Sequence, residues 1–312
     1  MMNKEKNFIS AVVYVHNAED HIGGFLNNIV NLLRDNFEHS EIICVNDFST
    51  DNSVNEIKAV AKDASPVVVS VLNMSYFHGV EVAMNAGVDL SIGDFVIELD
   101  STVQDYDTEQ IMNVYRKVLE GYDIVSAVPN KPQRLFSKIF YWTYRKFSSD
   151  SKALYTESFR ILSRRAINRV GQMSKTIPYR KGLYMNCGLK AHHIKYECKD
   201  ISKTKIPKQQ KKYRNRLALD TLLLFTNVGF VFSQLMTSLM MLISMFMGVY
   251  TVVMFALGKT VAGWTTTILF LSVAFLSLFA ILTIIVKYLQ MLLDLTFKRT
   301  KYSFEDIQKL SK

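Results

Sequence analysis

Residues 41–53 read EIICVNDFSTDNS, an apolar run that ends at Asn46 and Asp47 and passes directly into a polar turn. A short apolar run bounded by turn-forming residues is typical of a buried β-strand. Asp47 is therefore expected to present a carboxylate at the end of a strand, where it could accept a hydrogen bond from a ligand. Because Asp at such a position is more often a turn or cap residue, its interpretation depends on the neighbouring segments.

The first 130 residues continue this alternation of short apolar runs and helical patterns, which indicates an α/β domain with a largely parallel sheet. Strands are predicted at residues 8–15, 41–45, 66–72, 95–99 and 124–128, and helices at 22–33 and 80–90. Ligands of open α/β sheets bind beyond the carboxyl ends of the strands. The polar residues that follow three of these strands, at 16–19, 46–51 and 100–107, are therefore expected to share one edge.

Two long uncharged runs in the second half of the chain predict membrane helices. No charged residue occurs at positions 221–258 or, after Lys259, at positions 260–286. Both runs exceed the roughly 20 residues that cross the hydrocarbon core of a bilayer. A buried soluble helix can also be apolar on all sides, but two such runs in succession favour spans near residues 231–257 and 263–286.

The positive charges predict how these spans are oriented. Lys and Arg are frequent on both flanks, while the connecting loop carries only Lys259, so both flanks are expected in the cytosol. The apolar run at residues 9–15 is too short for a signal peptide, which agrees with a cytosolic domain. We predict a cytosolic domain at 1–210, a juxtamembrane amphipathic helix at 211–229, two transmembrane helices at 230–288 and a cytosolic basic tail at 289–312.

The formal net charge of +9 could indicate a nucleic-acid partner, but its distribution favours a lipid bilayer. Seven of the fourteen residues at 203–216 are basic and none is acidic, and this block directly precedes the first predicted span. Attraction to anionic lipid contributes about 1 kcal/mol per basic residue. The block can equally serve only as an orientation signal. In neither case is nucleic acid expected to bind.

Four segments, taken in order, resemble family 2 glycosyltransferases of the Rossmann-like, nucleotide-sugar-binding (GT-A) type. The matching segments are residues 12–19 (VVYVHNAE, an opening strand and turn), 45–53 (VNDFSTDNS, like Asp-Asp-Gly-Ser-Thr-Asp), the spaced Gly79, Ala83, Asn85 and Gly87, and residues 99–105 (LDSTVQD, at an Asp-x-Asp metal motif). Residues 103–105 and 158–165 are further similar to the bactoprenol and dolichyl-phosphate, or polyprenyl-phosphate, subgroup. The resemblance implies a Rossmann-like domain followed by a two-helix transmembrane hairpin.

This resemblance also implies a reaction. A sugar would pass from a nucleotide-sugar to undecaprenyl (polyprenyl) phosphate, with inversion, at the cytosolic face of the bacterial cytoplasmic membrane. A UDP-sugar is favoured over a GDP-sugar as the donor. Which sugar is transferred, and whether the protein forms a homo-oligomer, are left open. A divalent cation, Mg²⁺ or Mn²⁺, would neutralise the departing diphosphate.

The residues expected to carry this chemistry fall into four groups. The expected catalytic residues are Asp100, Gln104 and Asp105, and the expected metal ligands are Asp100 and Gln104. Nucleotide-sugar contacts are expected from Val15, Asn17, Glu19, Asp47, Asp100 and Arg160. Contacts to the acceptor phosphate are expected from Arg134, Ser137, Lys212, Arg214 and Arg216.

Several positions depart from the family pattern, and three of them lie in the segments expected to bind the donor and the metal. Asn46 replaces the first Asp of the Asp-Asp pair, Phe48 replaces Gly, and Thr102 replaces the second Asp of the metal motif. Because Thr102 removes a carboxylate ligand, the expectation of a metal is weakened. The pattern is also compatible with a catalytically degenerate homologue.

A second enzymatic interpretation is a membrane glycosyltransferase that acts on a sugar hydroxyl in polysaccharide assembly. A hydroxyl acceptor requires a general base, and Asp105 or Glu157 could serve. A phosphate acceptor does not require one, so the two hypotheses differ at these residues.

Overall fold

The computed structural model describes residues 4–131, 155–173, 179–199, 217–222, 228–256, 264–297 and 304–310, together with residue 226 and a few single positions between 137 and 146. The chain divides into two compact units. One comprises Met1–Arg145, Asp150–Thr221 and Thr300–Lys312, and the other comprises Lys146–Ser149 and Leu222–Arg299.

The first unit is built around a sheet to which the described residues contribute eight strands. They are β1 (Ile9–Val15), β2 (Ser40–Asn46), β3 (Val68–Met74), β4 (Phe95–Leu99), β5 (Ile124–Pro129), β6 (Phe159–Ser163), β7 (Ala191–Tyr196) and β8 (Phe304–Lys309). Their order is β7-β5-β6-β4-β1-β2-β3-β8. The central strands β3, β2, β1 and β4 run parallel, β6 lies antiparallel between β4 and β5, and β8 is antiparallel to β3. The carboxyl ends of the four parallel strands therefore open onto one edge, as the sequence predicts.

Helices cover both faces of this sheet. They are α1 (Glu19–Asn36), α2 (Ser53–Lys62), α3 (Val80–Leu90), α4 (Glu109–Leu119), α5 (Arg164–Met173) and α6 (Arg180–Asn186). Successive residues of a strand point to opposite faces. Accordingly, Val13 of β1 belongs to the core under α1, α2 and α4, while Val12 belongs to the core under α3. Burial on both faces explains why apolar residues predominate on both faces of the central strands.

The five predicted strands all occur, and the helix predicted at 80–90 has the bounds of α3. Three further strands, β6, β7 and β8, are not predicted by the sequence pattern. The largest difference concerns residues 289–312, which the sequence assigns to a basic tail: Phe304–Lys309 instead pairs with β3 as the last strand of the sheet. This pairing covers the edge of β3, and its partners are too far apart in sequence for local patterning to reveal it.

The described residues of the second unit include the helices α7 (Val228–Ala256) and α8 (Trp264–Phe297). Helix α7 lies within the first uncharged run, residues 221–258. Helix α8 begins within the second run, residues 260–286, and extends beyond its end. Among the residues that the structure describes, no helix is long and apolar enough to cross a membrane.

Gly87 sets how closely α3 approaches the sheet. A Cβ atom at this position would lie 2.4 Å from Cγ1 of Val12 and 2.6 Å from Cγ2 of Val45. Both contacts are far inside van der Waals distance, so only glycine allows α3 to lie directly on β1 and β2. The start of α3 is thereby held near the carboxyl ends of these strands.

We predict that Gly87→Ala lowers the free energy of unfolding by about 1–3 kcal/mol, because the new methyl group overpacks the interface between α3 and the sheet. Gly24→Ala is the matched control, since a Cβ atom at Gly24 in α1 would meet nothing within 4 Å. There the higher helix propensity of alanine should leave stability equal or raised by up to about 1 kcal/mol. Urea unfolding followed by circular dichroism measures the free energy of unfolding of each variant. Equal effects of the two substitutions would contradict the close packing of α3 against β1 and β2 at Gly87.

Candidate active site

The loops after β1 and β2 are joined by hydrogen bonds at the carboxyl edge of the sheet. The Asn17 N–H donates to Ser49 Oγ at 3.1 Å, and the Thr50 N–H donates to Asn17 Oδ1 at 2.9 Å. Glu19 and Asp51 bind each other's loop: the Glu19 N–H donates to Asp51 Oδ2 at 3.0 Å, and Glu19 Oε2 accepts from the Asn52 N–H at 2.8 Å. Two of the predicted nucleotide-sugar contacts, Asn17 and Glu19, are therefore parts of one rigid loop pair.

Asp47 is buried, and its carboxylate organises the start of α3. Oδ1 accepts from the His78 N–H at 2.8 Å, and Oδ2 accepts from the Gly79 N–H at 2.8 Å and from the Tyr14 hydroxyl at 2.9 Å. Its own N–H donates to the carbonyl of Val15 at 2.8 Å. A negative charge at a helix N-terminus is favourable, because the first N–H groups of the helix point outward. None of its surface is exposed. A contact from Asp47 to a nucleobase therefore stays a prediction, and it would require this carboxylate to become accessible.

Phe48 occupies a backbone conformation that suits glycine. Its φ is +58°, and 49% of the residue is exposed at the sheet edge. The left-handed region costs an L-residue about 1–2 kcal/mol relative to the right-handed one. The glycine that the family pattern has here would avoid that cost. Residues held in such strained conformations concentrate at functional sites.

Aromatic side chains line the loop that follows β3. The rings of Tyr76 and His78 stack with centroids 3.9 Å apart, and those of His16 and Phe77 lie 4.8 Å apart. Tyr76 is 57% exposed. Flat aromatic faces at a sheet edge suit the stacking of a planar ligand. The site residues predicted from the sequence include none of residues 75–79. That prediction is based mainly on carboxylates at strand ends, whereas the signal in this loop is its run of aromatic rings.

Asp100 lies at the end of β4 between two arginines. Its Oδ2 accepts from Arg160 Nη2 at 3.0 Å, and its Oδ1 accepts from Arg180 Nη2 at 2.7 Å. The side chain of Asp100 is 27% exposed, whereas those of Arg160 and Arg180 are 3% and 1% exposed. Burial alone would raise the pKa of Asp100, but the guanidinium groups of Arg180 and Arg160 outweigh it and lower the pKa to about 2. Asp100 is therefore ionised and fixed in orientation at any physiological pH.

Both arginines belong to a buried ion-pair network beneath Asp100. The side chain of Glu98 is fully buried. Its Oε2 lies 3.0 Å from Arg160 Nη1, and its Oε1 lies 2.7 Å from Arg180 Nη1. Glu98 and Arg160 are register partners on β4 and β6, so the sheet itself opposes the two charges. Two further glutamates each pair with one of the arginines. Glu81 Oε2 lies 3.2 Å from Arg180 Nε, and Glu157 Oε2 lies 3.1 Å from Arg160 Nε.

The charges of this network do not cancel. Arg160, Arg180 and Lys181 supply three positive charges, and Glu81, Glu98, Asp100 and Glu157 supply four negative charges. Without Asp100 the remaining charges balance, so the surplus negative charge corresponds to the partly exposed carboxylate of Asp100 itself. The sequence contained a signal for this network: Glu98 is a charge inside the otherwise apolar strand Phe95–Leu99.

Asp105 lies in a separate polar cluster. Its Oδ1 accepts from the Tyr196 hydroxyl at 2.7 Å and from Ser158 Oγ at 3.2 Å, and its Oδ2 accepts from Lys131 Nζ at 3.3 Å. Burial raises the pKa of Tyr196, and the carboxylate of Asp105 raises it further. Tyr196 therefore remains a neutral hydroxyl donor to Asp105.

The side chain of Gln104 forms hydrogen bonds with Asn28 and Thr108 rather than with Asp100. Its Oε1 accepts from Asn28 Nδ2 at 3.4 Å, and its Nε2 donates to Thr108 Oγ1 at 3.0 Å. The described part of the chain contains no group of three or more His, Cys, Asp or Glu side chains that could hold a metal ion. Two lone pairs of Asp100 are already used by arginines. The residues present therefore do not by themselves fit a metal site made by the protein.

The predicted acceptor contacts lie largely outside the described residues. Ser137 is helical and partly buried. Arg134, Lys212, Arg214 and Arg216 are outside the described residues. Two arginines that follow β6 do not belong to the network around Asp100: Arg164 donates to the carbonyl of Gly93, and Arg165 pairs with Asp123.

The comparisons with known proteins agree with this geometry. The sequence model of Glycosyl transferase family 2 matches residues 10–182. An uncharacterized glycosyltransferase of Synechocystis sp., sll0501, is 28% identical over 195 residues, which cover 61% of this chain and 60% of that protein. The undecaprenyl-phosphate 4-deoxy-4-formamido-L-arabinose transferase of Shewanella sediminis is 33% identical over 147 residues, covering 44% of each chain. The chain thus spans less than two thirds of the length of either relative.

Solved structures share the fold. The mannosyltransferase PcManGT from Pyrobaculum calidifontis, in complex with GDP-Man and Mn²⁺, superposes with a TM-score of 0.52 at 15% identity, covering 70% of this chain and 63% of that one. The glucosyl-3-phosphoglycerate synthase from Mycobacterium tuberculosis, in complex with Mn²⁺, UDP and phosphoglyceric acid, gives 0.52 at 16% identity and coverages of 70% and 78%. At these identities the likeness concerns the fold alone, and it supports the GT-A type of α/β domain.

We predict that Phe48→Gly is more stable than Phe48→Ala by about 1 kcal/mol, because both remove the ring but only glycine relieves the left-handed backbone. The gain is the net of relieved strain and the larger unfolded-state entropy of glycine. The free energy of unfolding in urea measures the difference. A Phe48→Gly variant that is less stable than Phe48→Ala by about 0.5–1 kcal/mol, the entropic cost of glycine alone, would show that position 48 is unstrained.

Proposed function

The chain belongs to glycosyl transferase family 2, and from that premise we propose that it transfers a sugar from a nucleotide-sugar to a polyprenyl phosphate, with inversion. The observation that carries this proposal is the arginine-clamped carboxylate of Asp100 at the strand edge that also bears the loops after β1 and β2. The name of the relative from Shewanella sediminis supports undecaprenyl phosphate as the carrier.

The donor would lie across the ends of β1, β2 and β4. The loop pair formed by Asn17 and Glu19 with residues 49–52, and the aromatic loop 75–79, would bind the nucleotide. Asp100 would face the sugar and diphosphate, and Arg160 would act through it, since the guanidinium of Arg160 is itself buried. Catalysis requires fixed groups where charge develops, and the clamp removes any need for Asp100 to reorient during the reaction.

The departing diphosphate requires positive charge from outside the described network, because that network carries a surplus negative charge. The resemblance and the Mn²⁺ complexes of the structural neighbours support a divalent cation near Asp100. With few protein donors, such an ion would take most ligands from the diphosphate and water, as Mg²⁺ commonly does. We propose that the protein alone binds this ion weakly.

We predict that Thr102→Asp raises the affinity of the donor-free protein for Mn²⁺ by about tenfold or more, because it restores the second carboxylate beside Asp100. Electron paramagnetic resonance titration of Mn²⁺ measures this affinity without any need for activity. The matched control is Ser101→Asp, which adds the same charge at a neighbouring, exposed position. Equal gains in both variants would show that general electrostatic attraction, and not a site at Asp100, holds the ion.

A phosphate acceptor needs no side-chain base. The second pKa of a phosphate monoester is about 6, so the nucleophilic oxygen is already largely ionised at neutral pH. Glu157, one of the two candidate bases, has a side chain that is 1% exposed and paired with Arg160. This placement supports a structural role for Glu157. Arg134, Lys212, Arg214 and Arg216 remain the proposed cations for the acceptor phosphate.

We predict that Asp105→Asn retains at least about a third of wild-type turnover, since no proton need be removed from a phosphate acceptor. The amide can still accept from Tyr196. Asp107→Asn is the control, because Asp107 is an exposed neighbour whose carboxylate forms an ion pair with the exposed Lys199. A loss of several hundredfold in Asp105→Asn alone, with unchanged donor affinity, would favour the hydroxyl-acceptor alternative.

We also propose that the two uncharged runs form a membrane hairpin with both flanks on the cytosolic side. The absence of charge from residues 221–258 and 260–286 supports the spans. The pairing of β8 with β3 supports the placement of both flanks on the same side of the bilayer, because residues before and after the hairpin belong to one sheet. The excess of Lys and Arg in these flanks supports the cytosolic side.

The experiment that tests the proposed function supplies membranes containing the protein with radiolabelled UDP- and GDP-sugars. The expected product is an undecaprenyl carrier linked to one sugar through a single, acid-labile phosphate, identified by mass spectrometry. Label that appears only in glycosidic linkage to another sugar would support the hydroxyl-acceptor enzyme. No turnover with any donor, in protein that still binds nucleotide, would support a degenerate homologue.

A further inference from the structure

Three polar side chains lie side by side across β2, β3 and β8. Asn46 is the register partner of Asn73 in the parallel pair β2–β3, and Asn73 is the partner of Asp306 in the antiparallel pair β3–β8. Register partners on neighbouring strands project from the same face of a sheet. The three side chains therefore meet although Asp306 is 233 residues from Asn73 in sequence.

Hydrogen bonds run through these side chains in one direction. Asn73 Nδ2 donates to Asp306 Oδ1 at 2.5 Å, and Asn46 Nδ2 donates to Asn73 Oδ1 at 2.9 Å. Asn46 Oδ1 then accepts from the Ser49 N–H at 3.1 Å. Ser49 follows Phe48, and its hydroxyl accepts from the Asn17 N–H. The series thus begins on the C-terminal strand and ends in the loop that joins the ends of β1 and β2.

The carboxylate of Asp306 fixes this direction. An ionised carboxylate only accepts hydrogen bonds, so Asn73 must turn its NH₂ group toward Asp306 and its oxygen toward Asn46. Asn46 must in turn donate to Asn73, which leaves its oxygen for the Ser49 N–H. Hydrogen bonds from Gln308 and Asn73 hold the pKa of Asp306 below its usual range, so the group remains an acceptor at neutral pH.

We infer that Asp306 is a positioning residue for the nucleotide loop at residues 47–52, acting through Asn73 and Asn46. The strand β8, which returns to the sheet after the apolar helices, thereby contributes to the donor site without touching the donor. The inference rests on the proposed function for its nucleotide readout. It also accounts for Asn46, which stands where the family pattern has Asp: a carboxylate there would face the oxygen of Asn73.

The first test removes the acceptor at the start of the series. In Asp306→Ala, Asn73 and Asn46 lose their fixed orientation, so the Ser49 amide should exchange hydrogen about tenfold faster, and the Kd for UDP or GDP should rise about three- to tenfold. Since the loop binds the donor without reacting, the donor KM should rise while kcat changes less than about twofold. Gln308→Ala is the matched control, because Gln308 donates to Asp306 but lies outside the series.

The second test reverses the direction of the series. In Asn46→Asp, two acceptors face each other at Asn73 whichever way its amide turns, so nucleotide affinity should fall about tenfold. When Asp306→Asn is added, the new amide at position 306 can donate to the oxygen of Asn73. The NH₂ group of Asn73 can then donate to the new carboxylate at position 46, which still accepts from the Ser49 N–H. The double variant should therefore return to within about threefold of wild type, whereas residues without a shared partner would show additive effects.

Both measurements use the whole 312-residue chain purified in detergent, with UDP and GDP as the nucleotide probes. Unchanged exchange at Ser49 in Asp306→Ala, or a double variant no better than Asn46→Asp, would overturn the inference. If the wild-type protein binds neither nucleotide, the proposed function fails. The exchange rate of the Ser49 amide in the same four variants would still decide whether Asp306 positions the loop.

Discussion

The carboxylate of Glu98 lies in the middle of the sheet with none of its side chain exposed to water, and the candidate site depends on how that charge is neutralised. An isolated buried charge is very costly, so Glu98 requires cationic partners on adjacent elements. Arg160 arrives on β6 as its register partner, and Arg180 arrives at the first position of α6. Each arginine then extends a second group to Asp100. The carboxylate at the sheet edge is therefore oriented by a charge buried beneath it.

A buried ion-pair network of this kind adds little to net stability but is costly to break. Replacing all its members by apolar residues can be neutral, whereas removing one partner leaves a buried charge uncompensated and typically costs about 3–5 kcal/mol. The same reasoning explains why Glu157 is a poor candidate for a general base. Its carboxylate is bound to Arg160, and freeing it for proton transfer would disturb the clamp on Asp100.

Asp47 has a different structural role at the same edge of the sheet. Its two oxygens accept from the N–H groups of His78 and Gly79, which directly precede α3, and from Tyr14, so they hold the start of the helix to the ends of β1 and β2. Gly87 completes this attachment because α3 can then lie directly against Val12 and Val45. The loops that would bind a nucleotide are thus fixed by a carboxylate, a glycine and the hydrogen bonds between Asn17 and residues 49–50.

The sequence by itself determined the α/β class, the first five strands and the edge at which polar loops meet, because apolar periodicity and turn residues are local signals. It also identified Asp100 and Asp47 as carboxylates at strand ends. Only the tertiary structure decided what those carboxylates do. Asp100 is paired with arginines 60 and 80 residues away, and Asp306 joins the sheet from beyond the apolar helices. Such partners depend on strand order and register, and these are set by the packing of whole elements rather than by any neighbouring residue.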